Sequence, residues 1–416
     1  MTQPQAVQLI VSAINRENYG MADTMCRQMV AISPQYPWGP YLLAVIANHI
    51  GDYRARAKWA AAASELLLEY SGADFSELAQ GLADLASAPK SPIPTPRQPA
   101  YLIIKCWGYG FWSDVEHVMA SLLLAEMTNR VPVVRWGGNS YYTSDETKDC
   151  FQNFFNPVSD ATLEDAIAGN DRYYPPKWSA ANIRQDHLNV WEGAYSRLSG
   201  LYFLNRPERI AVSDFFTQIL ELTPWLHEDH WLCGLDVITV MRRLYEKYFS
   251  LQKDIQQEID AFIADKFDGT PVLGVHVRND DKGSENVDLK EENARIPYMI
   301  ERRLAQNREL RIYLMTDRDS VIKDYTSRYG ARVFHTDSNR SSDQTAVTIS
   351  DREDRSRFGV DVIKDTYAAA ACTYFIGNGS SNIPPMIEIL KDWPEGHFEM
   401  IGDNIKLKRN WKLHDW

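Results

Sequence analysis

Between Pro89 and Pro99 the chain reads Pro-Lys-Ser-Pro-Ile-Pro-Thr-Pro-Arg-Gln-Pro, five prolines in eleven residues. Proline fixes φ and has no N–H to donate, so neither a helix nor a sheet ladder runs through such a stretch. It predicts an extended linker over 89–99, the best domain boundary in the sequence. The 416 residues suggest two or three domains at ~100–200 residues each.

The two sides of the linker differ in kind. Residues 1–88 are alanine-rich and read as helices throughout. Asn18-Tyr19 and Asp52-Tyr53 stand 34 residues apart, each at a helix–turn–helix junction, and Ala22/Arg56 and Cys26/Ala60 follow at the same offset. That period resembles tetratricopeptide repeats. Such units stack and present a concave surface, or they only cap the next domain. From residue 100 the pattern becomes strand, glycine turn, helix. Tyr101–Trp107 is a short apolar run, Gly108-Tyr109-Gly110 a turn, Ser113–Met127 an amphipathic helix and Val131–Trp136 the next strand. This βαβ unit predicts a parallel sheet. Residues 140–230 are irregular and aromatic-rich, and 236–266 read as one or two helices. A second βα series follows: strand Val272–Val277, helix Pro297–Gln306, strand Leu310–Met315, helix Ser320–Tyr329, strand Ala331–His335, helix Val360–Ala371, strand Thr373–Ile376 and helix Pro384–Lys391. The expected fold class is α/β and GT-B-like: two Rossmann-type domains, 100–268 and 269–416, face each other across a cleft behind the α-helical repeat domain.

Composition narrows the partners. The formal charge of -12, from 44 basic and 56 acidic residues, is the wrong sign for a non-specific nucleic-acid binder. No window reaches the ~18 apolar residues that span a bilayer. The first twenty residues lack a basic leader and an unbroken apolar stretch. Five widely spaced cysteines contain no C-x-x-C pair. The expectation is a cytoplasmic protein without a transmembrane segment.

Several constellations can carry chemistry. In Gly274-Val275-His276-Val277-Arg278-Asn279-Asp280-Asp281-Lys282-Gly283-Ser284-Glu285 an apolar strand runs straight into charge. Ligands of open α/β sheets bind beyond the carboxyl ends of strands, and the planar fork of Arg278 suits phosphate. The plain alternative is an ion pair between Arg278 and Asp280 or Asp281. In Gly377-Asn378-Gly379-Ser380-Ser381-Asn382-Ile383-Pro384-Pro385 a strand ends in a glycine loop that opens a helix. The amides of such an end form an anion site unless the helix is simply well capped. Asp365 could accept two N–H bonds from a guanine edge, or be a solvated helix residue. Gly108 to Ser113 imitates a dinucleotide fingerprint but lacks its third glycine. The strand after it ends in Arg135-Trp136 rather than an acid, so a tight βα turn is the better account. Asp317-Arg318-Asp319 could hold a divalent ion, and reads better as a strand-end turn with an N-cap. The aromatic residues of 136–202 could stack on sugar faces, with core packing explaining most of them.

Three stretches together resemble the α1,6-fucosyltransferases and their protein O-fucosyltransferase relatives. They are Gly274 to Arg278 with Asp281-Lys282 and Glu285; Tyr313-Leu314-Met315-Thr316-Asp317; and Asp365 followed by Gly379-Ser380-Ser381. The likeness covers about residues 100–390. It implies an acceptor-side domain at 100–268 and a nucleotide-sugar-binding domain at 269–416. It implies an inverting, metal-independent transfer of fucose from GDP-fucose, with no cofactor, to a hydroxyl of a glycan, lipid-linked glycan or glycoprotein. Arg278 would hold the β-phosphate, His276 and Asp365 the ribose and guanine, and Gly379, Ser380 and Ser381 phosphate. Glu285 would be the general base, with Asp281 and Asp280 as fallbacks. Asn279 stands where the core enzyme has a second arginine, which leaves another GDP-sugar open as the donor. A non-catalytic adaptor working through the helical repeats is the other alternative.

Overall fold

The computed structural model describes residues 2–69, 75–89, 96–145, 147–186, 188, 195–278, 289–341, 354–379 and 381–402. Five helices come first: α1 (Gln3–Asn15), α2 (Tyr19–Ile32), α3 (Trp38–His49), α4 (Tyr53–Glu69) and α5 (Ser76–Ser87). The two junctions 34 residues apart share one geometry. Asn18 Oδ1 accepts the Met21 N–H at 3.2 Å, and Asp52 Oδ1 accepts the Ala55 N–H at 2.8 Å. Each satisfies an orphan donor of the helix that follows. The inner faces of α1, α2 and α3 do not end in a separate core, whereas Ala63 of α4 with Leu78 and Leu82 of α5 form a small cluster of their own. Leu42, Leu43 and Ile46 share one apolar cluster with Leu102, Leu122 and Leu222. Tyr19 packs on Tyr202 with ring centres 5.3 Å apart, and Arg27 lies 5.8 Å from the Trp59 ring and 5.4 Å from the Trp225 ring.

The first sheet holds β1 (Tyr101–Lys105), β2 (Val131–Arg135), β3 (Tyr173–Tyr174) and β4 (Ile210–Ser213), all parallel, in the order β2-β1-β4-β3. Helix α6 (Phe111–Met127) crosses from β1 to β2 and is buried on every side over Phe111–Ala125. A helix without a solvent face must pack on more than the sheet. Its other neighbours are α8 (Ile219–Leu222) and α9 (Val237–Tyr248), while the short α7 (Leu163–Ile167) lies by β1 and β2. Then α10 (Lys253–Lys266) leads into the second sheet.

That sheet contains β5 (Val272–His276), β6 (Arg311–Met315), β7 (Val333–Phe334), β8 (Tyr374–Asn378) and β9 (Phe398–Ile401), again all parallel, in the order β7-β6-β5-β8-β9. Its helices are α11 (Leu289–Gln306), α12 (Asp319–Tyr329), α13 (Arg355–Ala370) and α14 (Ile383–Ile389). The architecture is the GT-B-like pair of parallel α/β sheets preceded by helices that the sequence leads one to expect. Three details differ. Helix α11 starts at Leu289 and carries Pro297 inside it; proline favours a first turn, but here the ring is accommodated mid-helix. Strands β3, β4 and β9 are too short for their alternation to show. Helix α12 has Arg318 at its N-cap with no side-chain capping bond, so the expected side-chain N-cap is absent, and the residue before the helix sits in a bridge to Ser341.

The two sheets meet through α13. The Trp112 indole N–H donates to Thr366 Oγ1 at 2.8 Å, and the hydroxyls of Tyr245 and Tyr367 are 2.8 Å apart. Gly359 sits beneath the Phe154 ring, so close that a Cβ there would collide with it and press on Phe111. Gly359→Ala should therefore lower unfolding free energy by about 1–3 kcal/mol through overpacking. Urea titration checks this; an unchanged midpoint would mean the rings have room to move.

Candidate active site

The chain winds from β5 outward through β6 to β7, then returns to the other flank of β5 with β8 and β9. The winding direction reverses between β5 and β8, and a crevice opens beyond the carboxyl ends of strands at such a point. Val275 pairs with Ile376. That is the last pair between the two strands, so His276, Val277 and Arg278 leave the sheet at the same end as Gly377, Asn378 and Gly379. This is where Arg278 and the glycine loop were expected to converge.

On the β5 side, residues Val272 to Val277 are all buried, and the Val277 N–H prolongs the pairing by donating to the Met315 carbonyl at 2.9 Å. His276 is 5% exposed. Its Nδ1 has no hydrogen-bond partner among the described residues. Burial, and then the neighbouring Arg278 charge, push its pKa down to about 3. It is a neutral imidazole at physiological pH. Arg278 is half-buried, and its carbonyl is pinned by the Asn293 amide at 2.6 Å. Asp281 and Glu285, with Asp280, lie outside the described residues.

On the β8 side the expected anion cradle is largely occupied from within. The Gly379 N–H donates to the Ile401 carbonyl at 2.8 Å, the Ser381 N–H to the Asn378 carbonyl at 3.3 Å, and the Ile383 N–H to Ser381 Oγ at 3.3 Å. Pro384 and Pro385 have no N–H to offer. A phosphate bound here would have to draw donors away from these partners. Ser380 lies outside the described residues. The buried Asn378 side chain donates to Glu292 Oε2 at 2.6 Å, tying the strand end to α11.

Asp365 is not the solvated residue that its place on a helix allowed. Its Oδ1 accepts from Tyr313 Oη at 3.2 Å, from Ser338 Oγ at 3.0 Å and from Thr336 Oγ1. Arg340 bonds the carbonyls of Ser338 and Thr336 at 2.9 and 3.0 Å. Burial raises the Asp365 pKa, while Thr336, the Arg340 charge, Ser338 and Tyr313 pull it back. The sequence reading missed these hydroxyls; Thr336 and Ser338 lie two apart just past β7, a spacing that puts both on one side of an extended chain. Helix α13 is held against α10 by Glu258, which contacts Arg357 and Lys364 and is lowered to about 2, first by its bond to Arg357.

The first sheet contributes the turn after β1. Gly108 has φ +89°, a conformation natural to glycine, and its N–H donates to Asp114 Oδ1 at 3.1 Å. Cys106 Sγ lies 2.9 Å from Asp114 Oδ2. Burial raises the Asp114 pKa to about 7. Tyr109 stacks on Trp107 at 3.9 Å. The Asp317 to Asp319 segment forms a parallel bridge rather than the expected turn: the Ser341 N–H donates to the Asp317 carbonyl at 2.8 Å and the Asp319 N–H donates to the Ser341 carbonyl at 3.3 Å. Most of the named aromatics, including Trp136, Tyr142, Tyr174 and Trp178, are core residues, whereas Tyr141 and Tyr195 are exposed.

Residues 102–387 match the family model described as α-(1,6)-fucosyltransferase N- and catalytic domains. The chain belongs to the α-(1,6)-fucosyltransferase family. It is a glycosyltransferase by that membership. Among solved structures it is similar to NodZ α-1,6-fucosyltransferase co-crystallized with GDP, with TM-score 0.48 and 18% identity over 70% of this chain and 92% of that one. Fucosyltransferase NodZ from Bradyrhizobium gives TM-score 0.47 and 18% identity over 70% and 93% of the two chains. POFUT1 in complex with GDP-fucose gives 0.45 and 13% over 74% and 99%. No curated protein sequence matches significantly.

The state of His276 is open to measurement. Its ring resonances should hold their positions from pH 8 to pH 5. An unfolded histidine takes up a proton near 6.5, whereas the folded one does so only near 3. Stability attached to this group is therefore complete above pH ~6.5 and is lost on acidification below it, by about 1.4 kcal/mol per pH unit. His276→Gln should flatten that slope in unfolding titrations. A ring titrating near 6.5 in the folded protein would contradict the burial argument.

Proposed function

We propose that this fucosyltransferase-family chain is an inverting, metal-independent enzyme that moves fucose from GDP-fucose to a hydroxyl of a glycan or glycoconjugate. The observation that supports the reading is that the β5 and β8 ends, leading to Arg278 and to the glycine loop, leave the second sheet on the same side of its reversal point. The leaving diphosphate gains charge as the glycosidic bond breaks. Arg278 stabilises that charge, the role a metal ion fills elsewhere. Neutral His276 meets the ribose as a hydrogen-bonding group rather than as a proton donor. Asp365 accepts the N–H edge of guanine, and Ser381 with Gly379 and Ser380 lies along the phosphates once their internal bonds exchange. Glu285 removes the acceptor proton as that oxygen attacks the anomeric carbon opposite GDP, with Asp281 as the nearest substitute.

Arg278→Ala should lower the transfer rate about 10²–10³-fold, the scale of losing a donor aimed at developing charge. Glu285→Gln should lower it about 10²–10⁴-fold while GDP affinity stays the same. Stopped assays with GDP-fucose and calorimetry with GDP separate the two effects. Full transfer by Arg278→Ala would remove the site from 278. Activity lost in EDTA and restored by a divalent ion would return Asp317-Arg318-Asp319 to consideration. Asn279, in place of a second arginine, favours testing other GDP-sugars in the same panel; hydrolysis of one of these in preference to GDP-fucose would reassign the donor.

Asp365 gives a further check. Its carboxylate must be ionised to accept a guanine edge, and its pKa is raised. GDP affinity should therefore fall on acidification at a higher pH than an ordinary aspartate would dictate. Asp365→Asn should weaken GDP at every pH and abolish that dependence. An unchanged pH profile in the variant would dissociate Asp365 from the base.

A further inference from the structure

A second site lies on the first sheet, away from every residue assigned above. Strand β2 is an edge strand, and a cavity of about 540 Å³ runs along it. That size is within the ~300–1,000 Å³ typical of ligand pockets. Its wall includes Arg135, the last residue of β2. Arg135 is only 8% exposed, yet its Nε–H has no hydrogen-bond partner among the described residues. A buried donor left unmade costs about 1–3 kcal/mol, and with Nε closed off it is the terminal N–H groups of the guanidinium, which have no partner among the described residues, that can meet an acceptor in the cavity.

The surrounding charges say what kind of acceptor. Asp149 and Glu164 both feel the Arg135 charge. The Asp149 carboxylate is already occupied by the Trp136 and Phe151 amides at 2.9 and 3.1 Å, and Glu164 is paired with Arg184 at 2.7 Å at the rim. With Asp160 also lining the cavity, three carboxylates face two arginines. The charge of Arg135 is balanced, but its hydrogen-bonding capacity is not. A phosphate or other dianion would meet excess negative charge; a neutral ligand rich in hydroxyls would accept from Arg135 and donate to carboxylate oxygens. The strand edge adds to this set. The Val131 N–H and the Arg135 carbonyl pair towards β1, so by alternation Val134 turns its N–H and C=O the other way. Pro157, Val158 and Leu163 supply apolar wall.

We propose that this pocket is a saccharide subsite that holds a non-reacting ring of the acceptor. The assignment of an acceptor rests on the transferase reading above; the chemistry of the pocket does not. Strands β1 and β2 are parallel, so Arg135 lies at the same end of the sheet as the Gly108 turn. An extended glycan can therefore engage this edge while another of its rings reacts. Arg135 is a positioning residue, remote from the reacting atoms.

Saturation-transfer NMR on the full chain with cellobiose, lactose, maltose and N,N′-diacetylchitobiose tests the subsite. At least one of these sugars should receive saturation, and Arg135→Met should abolish it. Asp160→Trp, a change at an exposed rim position, should abolish it by filling the mouth without disturbing the buried arginine. In transfer assays Arg135→Met should raise the acceptor KM about tenfold with little change in kcat, the pattern of lost uniform binding. Saturation of none of the four sugars, its survival in both variants, or displacement of the sugars by inorganic phosphate would each overturn the proposal. Calorimetry with GDP keeps the two readings apart. GDP binding without sugar binding removes the subsite alone, and sugar binding without GDP binding removes the donor reading alone.

Discussion

Helix α13 has no spare face, and the rest of the molecule is arranged around that constraint. Towards the first sheet it gives Ser356 to the Tyr142 carbonyl, Gly359 to the Phe154 and Phe111 rings, Thr366 to Trp112 and Tyr367 to Tyr245. Towards the second sheet it gives Asp365 to Tyr313 of β6. Because a helix is stiff along its length, the Asp365 carboxylate is placed jointly by the packing of α13 on the first sheet and by the hydroxyls it meets on the second, which also carries Arg278. The glycine at 359 matters for this reason. It lets α13 approach the aromatic cluster closely enough for the hydroxyl contacts at its other end to form.

The candidate site works with unlike electrostatic devices. Burial strips His276 of its charge, whereas Arg278, only half-buried, retains water on one side. Asp365 is surrounded by hydroxyl dipoles, with the Arg340 cation one step removed. A carboxylate solvated in this way can exchange one neutral donor for another at small cost, which suits a group meant to meet a base. The β8 loop is different. Its amides at 379, 381 and 383 are committed to carbonyl and hydroxyl partners, so binding there involves rearrangement rather than simple docking.

Much of this was legible in the chain. The apolar stretch 272–277 entering charged residues and the glycine loop at 377–379 each state a local backbone requirement, and local requirements can be read locally. The order of Arg278 and Asp365 relative to Ser381 carried the family resemblance. What could not be read depends on contacts distant in sequence. Strand β4 is four residues long and is a strand because β1 and β3 flank it. Helix α11 continues through Pro297 because its buried face, with Ile296 and Ile300, outweighs one missing hydrogen bond. The hydroxyls of Thr336 and Ser338 acquire meaning only when α13 brings Asp365 to them, and the stranded donor of Arg135 only when the loop after β2 folds back to enclose it.

The helical block shares its apolar interior with the first sheet, through Leu42 and Leu102 and through the Tyr19–Tyr202 and Arg27–Trp225 contacts. Packed side chains therefore tie the first helices to the sheet independently of the backbone that joins them. A load placed on α1, α2 or α3 thus reaches the first sheet through interlocked rings and aliphatic side chains, not through a tether.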